Sequence, residues 1–215
     1  MYIPDAFALT DRDEILTVLR DYAFAVLVTA VDGAPPQATH IPFMIDAAAG
    51  ANGTLIAHMA RANPHWRDLA HLQGAGGEAL VIFQGPHAYV SPRWYTAGAA
   101  VPTWNYVAVH AYGTPRLIED AAEVRRRIGQ LVATHEAGAA APWRLEAQDD
   151  SYIAAMQRGI VAFEISIARL EAKAKLSQNK RPEDRRGVIA ALRAGDDPLS
   201  RDVAALMQRR EPGTI

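Results

Sequence analysis

The chain has 215 residues, a formal net charge of −2 and no cysteine; half of its residues are hydrophobic and 21% are charged. That is the make-up of an ordinary globular protein, long enough to bury a core without covalent staples. It excludes disulfides, thiolate metal sites and a cysteine nucleophile, and it argues against a broad nucleic-acid footprint. The charge is uneven, however. Residues 169–215 hold eleven Lys and Arg against seven Asp and Glu, and a helix carrying Arg181, Arg185, Arg186 and Arg193 is the best candidate surface for DNA. Met1–Asp5 lacks a basic stretch followed by an apolar run, and no segment approaches the roughly 18 apolar residues of a membrane span. The expected location is the cytoplasm, with no membrane contact.

Thr10-Asp11-Arg12-Asp13 reads as a helix start with Thr10 as cap, after which Ile15, Leu19 and Tyr22 share one face. Phe24 to Val31 is a β-branched strand run, and Asp32-Gly33 is a hairpin signal. The return strand is expected over Gln37 to Ile45, with Pro42 marking an edge or bulge. Thr54 to Met59 is a third strand. Pro64 disfavours helix at Asn63, so a short helix begins near His65 and runs to Leu72. Ala79 to Phe83 and Ala88 to Val90 read as strands on either side of a Gly85-Pro86 bend. Trp104 to Ile118 is the longest strand pattern. Helices follow over Ala121 to His135 and Asp150 to Gln157, with the small-residue segment 137–142 between them. Ile160 to Leu170 is a strand that turns Val161, Phe163, Ile165 and Ile167 inward. Helices near Pro182 to Ala194 and Pro198 to Arg210 close the chain. About six strands with helices grouped late predict an α+β protein, mainly β, built on an antiparallel barrel or sandwich with packed helices.

Residues 83–106 gather Trp94, Tyr95, Trp104 and Tyr106 beside His87, Ser91, Arg93 and Asn105, a mixture suited to a flat, heteroatom-rich ligand or to a packed strand-loop-strand. His58 to Trp66 lies where a strand gives way to a helix, and there Arg61 offers a fixed cation for phosphate while Asn63 is a helix cap or a ligand contact. Lys175 to Lys180 leaves the last strand with five polar side chains of six, fit for phosphate or a ring carbonyl, or for a plain polar loop. The seven histidines show no i, i+4 pair with a carboxylate and no HExxH, so no metal site is expected. GxSxG, GxGxxG and Walker loops are absent, which disfavours an esterase triad and a dinucleotide fold.

Together these strings resemble the PaiB family, described as FMN-binding negative transcriptional regulators. The resemblance covers nearly the whole chain. It runs from Met1-Tyr2-Ile3-Pro4 through His40-Ile41-Pro42-Phe43, His58 to Trp66, Gly85 to Tyr95, Val101 to Tyr106 and Val109-His110 to Lys175-Leu176-Ser177-Gln178-Asn179. It implies the flavin-binding split barrel, a six-stranded antiparallel Greek-key barrel. It also implies a homodimer with two FMN sites at the subunit interface. On that basis residues 1–180 form the FMN-binding domain with inserted helices, and 181–215 a helical extension packed on it. By motif position the implied FMN contacts are Thr39, His40, His58, Arg61, Asn63, Trp104, Asn105, Lys175, Ser177, Gln178 and Asn179. The implied role is a regulator using FMN as ligand or redox sensor. The alternative is an FMN-dependent oxidoreductase or flavin reductase with His87, Arg93 or Tyr95 on the substrate face; no catalytic residue declares itself. Haem, with His58 or His40 as axial ligand, ranks below FMN.

Overall fold

Alternation builds the first strand. Ala25, Leu27 and Thr29 are buried while their neighbours are not, giving β1 (Phe24–Thr29). The computed structural model describes residues 1–96 and 100–211. After α1 (Arg12–Asp21) and β1 come β2 (Gln37–Pro42), β3 (Met44–Asp46), β4 (Thr54–Ala60) and α2 (Trp66–Ala75). They are followed by β5 (Ala79–Val90), β6 (Thr103–Ile118), α3 (Ala121–Glu136), α4 (Asp150–Arg158), β7 (Ile160–Lys175), α5 (Pro182–Ala194) and α6 (Pro198–Arg209). The strands hydrogen-bond in the order β2-β1-β5-β6-β7-β4-β3. The pairings β1–β2, β1–β5, β3–β4 and β4–β7 are all antiparallel.

Four expectations are corrected. Asp11 rather than Thr10 caps α1, its carboxylate accepting from the Glu14 N–H at 2.9 Å, which places an anion at the positive end of the helix. The single return strand over Gln37 to Ile45 is two strands, and the two runs on either side of Gly85-Pro86 are one, so the described strands number seven. Pro42 has no N–H to continue the β1 ladder. The Phe43 N–H donates to the Ala23 carbonyl at 2.8 Å, and from Met44 onward the chain pairs with β4 instead. The Gly85-Pro86 bend is not a break. β1 pairs only with Leu80, Val81 and Ile82 of β5, so on that side Pro86 leaves no ladder partner wanting. Lastly, β7 runs on to Lys175 because the N-terminal segment gives its end a partner, with Ala8 bridged to Lys173 and the Leu9 N–H donating to the Ala172 carbonyl.

The contacts divide the chain into two compact units. The first comprises Met1–Tyr22, Phe83–His110 and Glu171–Ile215, the second Ala23–Ile82 and Ala111–Leu170. In the first unit α5 and α6 bury Val188, Ile189, Leu192, Val203, Ala204 and Met207. The Asp184 carboxylate accepts from the Thr96 N–H and hydroxyl at 2.8 and 2.9 Å. In the second unit Phe163, Ile165, Leu55 and Leu27 are sealed from solvent, each contributing about 1.5–3 kcal/mol by burial. Arg116 and Arg127 both donate to Glu164, at 2.9 and 3.2 Å, and Arg116 also reaches Glu123, joining β6, β7 and α3. Among the described residues no helix is long and apolar enough to cross a membrane.

Candidate functional site

In the second unit the corner between β4 and α2 holds a continuous hydrogen-bonded chain. His65, only 1% exposed, meets Thr29 Oγ1 with Nε2 at 2.8 Å and Thr39 Oγ1 with Nδ1 at 2.7 Å. The Thr29 hydroxyl donates to Asp68 Oδ2 at 2.7 Å, so its oxygen is left to accept from His65, and the proton of the ring sits on Nε2. Nδ1 of that neutral ring accepts, so the Thr39 hydroxyl donates to it, and the Thr39 oxygen accepts from Asn63 Nδ2 at 3.4 Å. Asn63 Oδ1 in turn accepts from the His65 N–H at 3.1 Å, closing a turn just before α2. One order of donors therefore satisfies all five groups. It runs from Asn63 to Thr39, from Thr39 to His65, from His65 to Thr29 and from Thr29 to Asp68. Burial pushes the imidazole pKa down, against the opposing pull of Asp68, which agrees with a neutral ring. Sequence reasoning named Thr39 and Asn63 but missed His65, Thr29 and Asp68. The available signal was a polar Thr in an otherwise apolar strand and a His directly after Asn63-Pro64.

Arg61 is a backbone clamp. Its N–H donates to the Gly159 carbonyl, Nε to Arg158 and Nη2 to Ile160, at 2.8, 2.9 and 2.8 Å. The guanidinium thereby ties the last residue of α4 to the first residue of β7. Trp66 Nε1 donates to the Arg61 carbonyl at 3.1 Å. His58 is half-buried, and burial lowers its pKa. His40 is exposed beside the Phe24 ring, with centroids 6.3 Å apart.

In the first unit the predicted residues separate into braces and reachable groups. Asn105 is wholly buried, and Ser177 nearly so. Asn105 Nδ2 donates to Ser177 Oγ at 3.0 Å and to Met207 Sδ at 3.4 Å. Ser177 is the one described non-glycine residue with positive φ, at 63°, a left-handed conformation held by that pairing. Gln178 folds back on its own turn, Oε1 accepting from the Leu176 N–H at 2.7 Å and Nε2 donating to the Ala174 carbonyl. Trp104, Lys175 and Asn179 remain within reach of solvent. Trp104 is 52% exposed, with His87 and Tyr89 ring centroids 6.2 and 6.1 Å away. Lys175 donates to the Thr103 hydroxyl and to the Trp104 carbonyl. Burial, then the neighbouring Lys173 and Lys180 ammonium groups, push its pKa down. Lys173 itself is buried, its ammonium donating to the Tyr2 carbonyl at 3.1 Å, and Lys180 lies over the Tyr95 ring.

The fold is that of the flavin-binding split barrels. It resembles the FAD and heme binding protein of Mycobacterium smegmatis with a TM-score of 0.59 at 21% identity, over 85% of this chain and 78% of that one. It also resembles the flavocytochrome Anf3 of Azotobacter vinelandii with a TM-score of 0.56 at 17% identity, over 78% and 68%. Residues 1–169 match the family model described as "Putative FMN-binding domain", and the chain belongs to that family. The protease synthase and sporulation protein PAI 2 of Bacillus subtilis (strain 168) is 33% identical over 208 residues, 97% of each chain. The PaiB kinship expected from the motif strings is thereby shown, and FMN is the cofactor it brings.

The donor set suits that cofactor. FMN presents a phosphate dianion, a hydroxylated chain and a flat heteroaromatic ring. The part-exposed Lys175 ammonium matches the dianion, and the exposed Trp104 face matches the ring. When bound, FMN supplies a centre that accepts one or two electrons.

Proposed function

We propose that this chain is an FMN-responsive regulator of the PaiB type, acting as a cytoplasmic homodimer that reads flavin occupancy or redox state. The observation that carries the proposal is the end-to-end correspondence with PAI 2, 97% of each chain. Lys175, Trp104 and Asn179 of the first unit are the proposed FMN contacts; Asn105, Ser177 and Gln178 hold that surface in shape. A signal requires unequal affinity of FMN for two conformations. On α5 the proposed DNA-facing groups are Arg186 and Arg193. Arg185 is engaged by Glu211 at 2.5 and 3.2 Å and by the Lys180 carbonyl. Gel shifts with oxidised and reduced FMN test the proposal. DNA affinity is expected to change between the two states and to fall steeply with salt. Equal affinity in both states, or sustained NADH or NADPH turnover with added FMN, sinks it in favour of an oxidoreductase.

Trp104→Ala is expected to weaken FMN binding about tenfold through lost ring contact. Because Trp104 is half in solvent already, the melting temperature should stay near that of the parent. A flavin titration alongside a thermal melt separates the two effects, and a large drop in melting temperature with unchanged affinity would make Trp104 a packing residue.

A further inference from the structure

A cavity lies wholly within the second unit, with a volume of about 510 Å³, inside the range of small-molecule sites. Its wall is apolar, made by Trp66, Ile118, Val124, Ile160 and Ala162. Four of these belong to or pack against one buried cluster, with Ile118, Val124 and Ala162 at its centre and Ile160 packed on it. Two polar groups meet this wall. Gln157 lines the cavity, and its Nε2 is buried with no hydrogen-bond partner. A buried amide donor left unmatched costs about 1–3 kcal/mol. Arg61 also lines the cavity. Its Nε and Nη2 are fixed on backbone carbonyls, so the guanidinium is oriented in advance and Nη1 remains for a ligand. Ala121, the first residue of α3, brings the positive end of that helix to the same wall, although the Asp120 cap takes up part of its field. The exposed Arg158 and Glu119 at the rim carry opposite charges.

The geometry points to a binding site for a small monocarboxylate with an apolar body. The carboxylate is received by Arg61 Nη1 and Gln157 Nε2, and the body lies on Ile118, Val124 and Ala162. A neutral alcohol of the same length satisfies the wall but not the cation, so charge discriminates. The inference requires that FMN bind elsewhere than at Arg61, whose Nε and Nη2 are already held by backbone carbonyls.

Octanoate and octanol, titrated by calorimetry into the FMN-loaded full chain, test it. Octanoate is expected to bind saturably and at least about tenfold more tightly than octanol, the worth of one charge-assisted hydrogen bond. Ala154→Phe fills the cavity from an exposed position on α4. It should abolish octanoate binding while leaving the FMN titration unchanged. Gln157→Leu should lower octanoate affinity about tenfold with no loss of melting temperature, since it removes an unmatched amide. Equal binding of acid and alcohol, no saturable octanoate binding, binding untouched by both variants, or displacement of FMN by octanoate would each overturn the assignment.

Discussion

Gly113→Ala is expected to destabilise the fold by about 3 kcal/mol or more, the range for forcing volume into a packed site with backbone on the other side. Gly113 sits in β6 and is buried. A Cβ built there would stand 2.0 Å from the Ser166 carbonyl oxygen, 2.8 Å from its carbon and 3.0 Å from Ile165 Cγ2. Side chains can swing aside, but a carbonyl inside β7 can yield only by moving the strand. That strand also carries Phe163 and Ile165, both wholly buried, and pairs with β4 through seven residues from Thr54 to Ala60. Moving it therefore disturbs a core and a ladder together. Gly138→Ala is the control. Its Cβ meets nothing within 4 Å, so its effect should lie within about 0.5 kcal/mol. Urea denaturation of the two variants reads the difference directly. A Gly113→Ala protein with the parent midpoint would mean that β6 and β7 do not approach so closely.

What the sequence makes legible follows from what each residue needs locally. β7 declares itself because one face of it is buried, so Val161, Phe163, Ile165 and Ile167 recur with period two. α6 is equally plain, with Pro198 at its first turn and Asp197 accepting from the Leu199 and Ser200 N–H groups. Pro42 announces a disturbance, yet its outcome, a switch of partner from β1 to β4, depends on a strand that begins more than ten residues later. Pro86 misleads for the same reason, since a proline ends a strand only where its missing N–H is wanted. The site divides along similar lines. Motif position names Asn105, Ser177 and Gln178 but cannot say that each satisfies a neighbour inside the fold. Nor can it say that Arg61 grips three successive carbonyls. Trp104 keeps its ligand-like character because exposure of so large an apolar ring is itself unusual. The cavity beside α3 has no sequence signature, because its walls come from five elements, α2, β6, α3, α4 and β7, drawn from separate parts of the chain.

His65→Ala is expected to cost on the order of 3 kcal/mol, because it takes a partner from the buried Thr29 hydroxyl and the part-buried Thr39 hydroxyl and opens a void. A finer test concerns protons. The His65 ring is neutral, with its proton on Nε2. A second proton would sit on Nδ1 and face the Thr39 oxygen. Thr39 would then have to accept from both Asn63 and His65, and its own proton would lose its acceptor. The folded protein therefore resists protonation at His65, as burial alone also demands. In the unfolded chain the same histidine takes its proton near the ordinary value of about 6.5. Below that pH the unfolded state binds more protons than the folded one, so stability is full above it and declines as pH falls, until the folded ring is itself protonated. His58 and His110 have pKa values lowered by burial too and add loss of the same sign. His65→Gln isolates the contribution of the network. Its amide can accept from Thr39 and donate to Thr29 without titrating, so it should recover part of the stability lost in His65→Ala and flatten the decline below about pH 6.5. If the glutamine variant loses stability with acid as steeply as the parent, the acid sensitivity belongs to His58 and His110, and the donor order through Thr39, His65 and Thr29 is not what resists the proton.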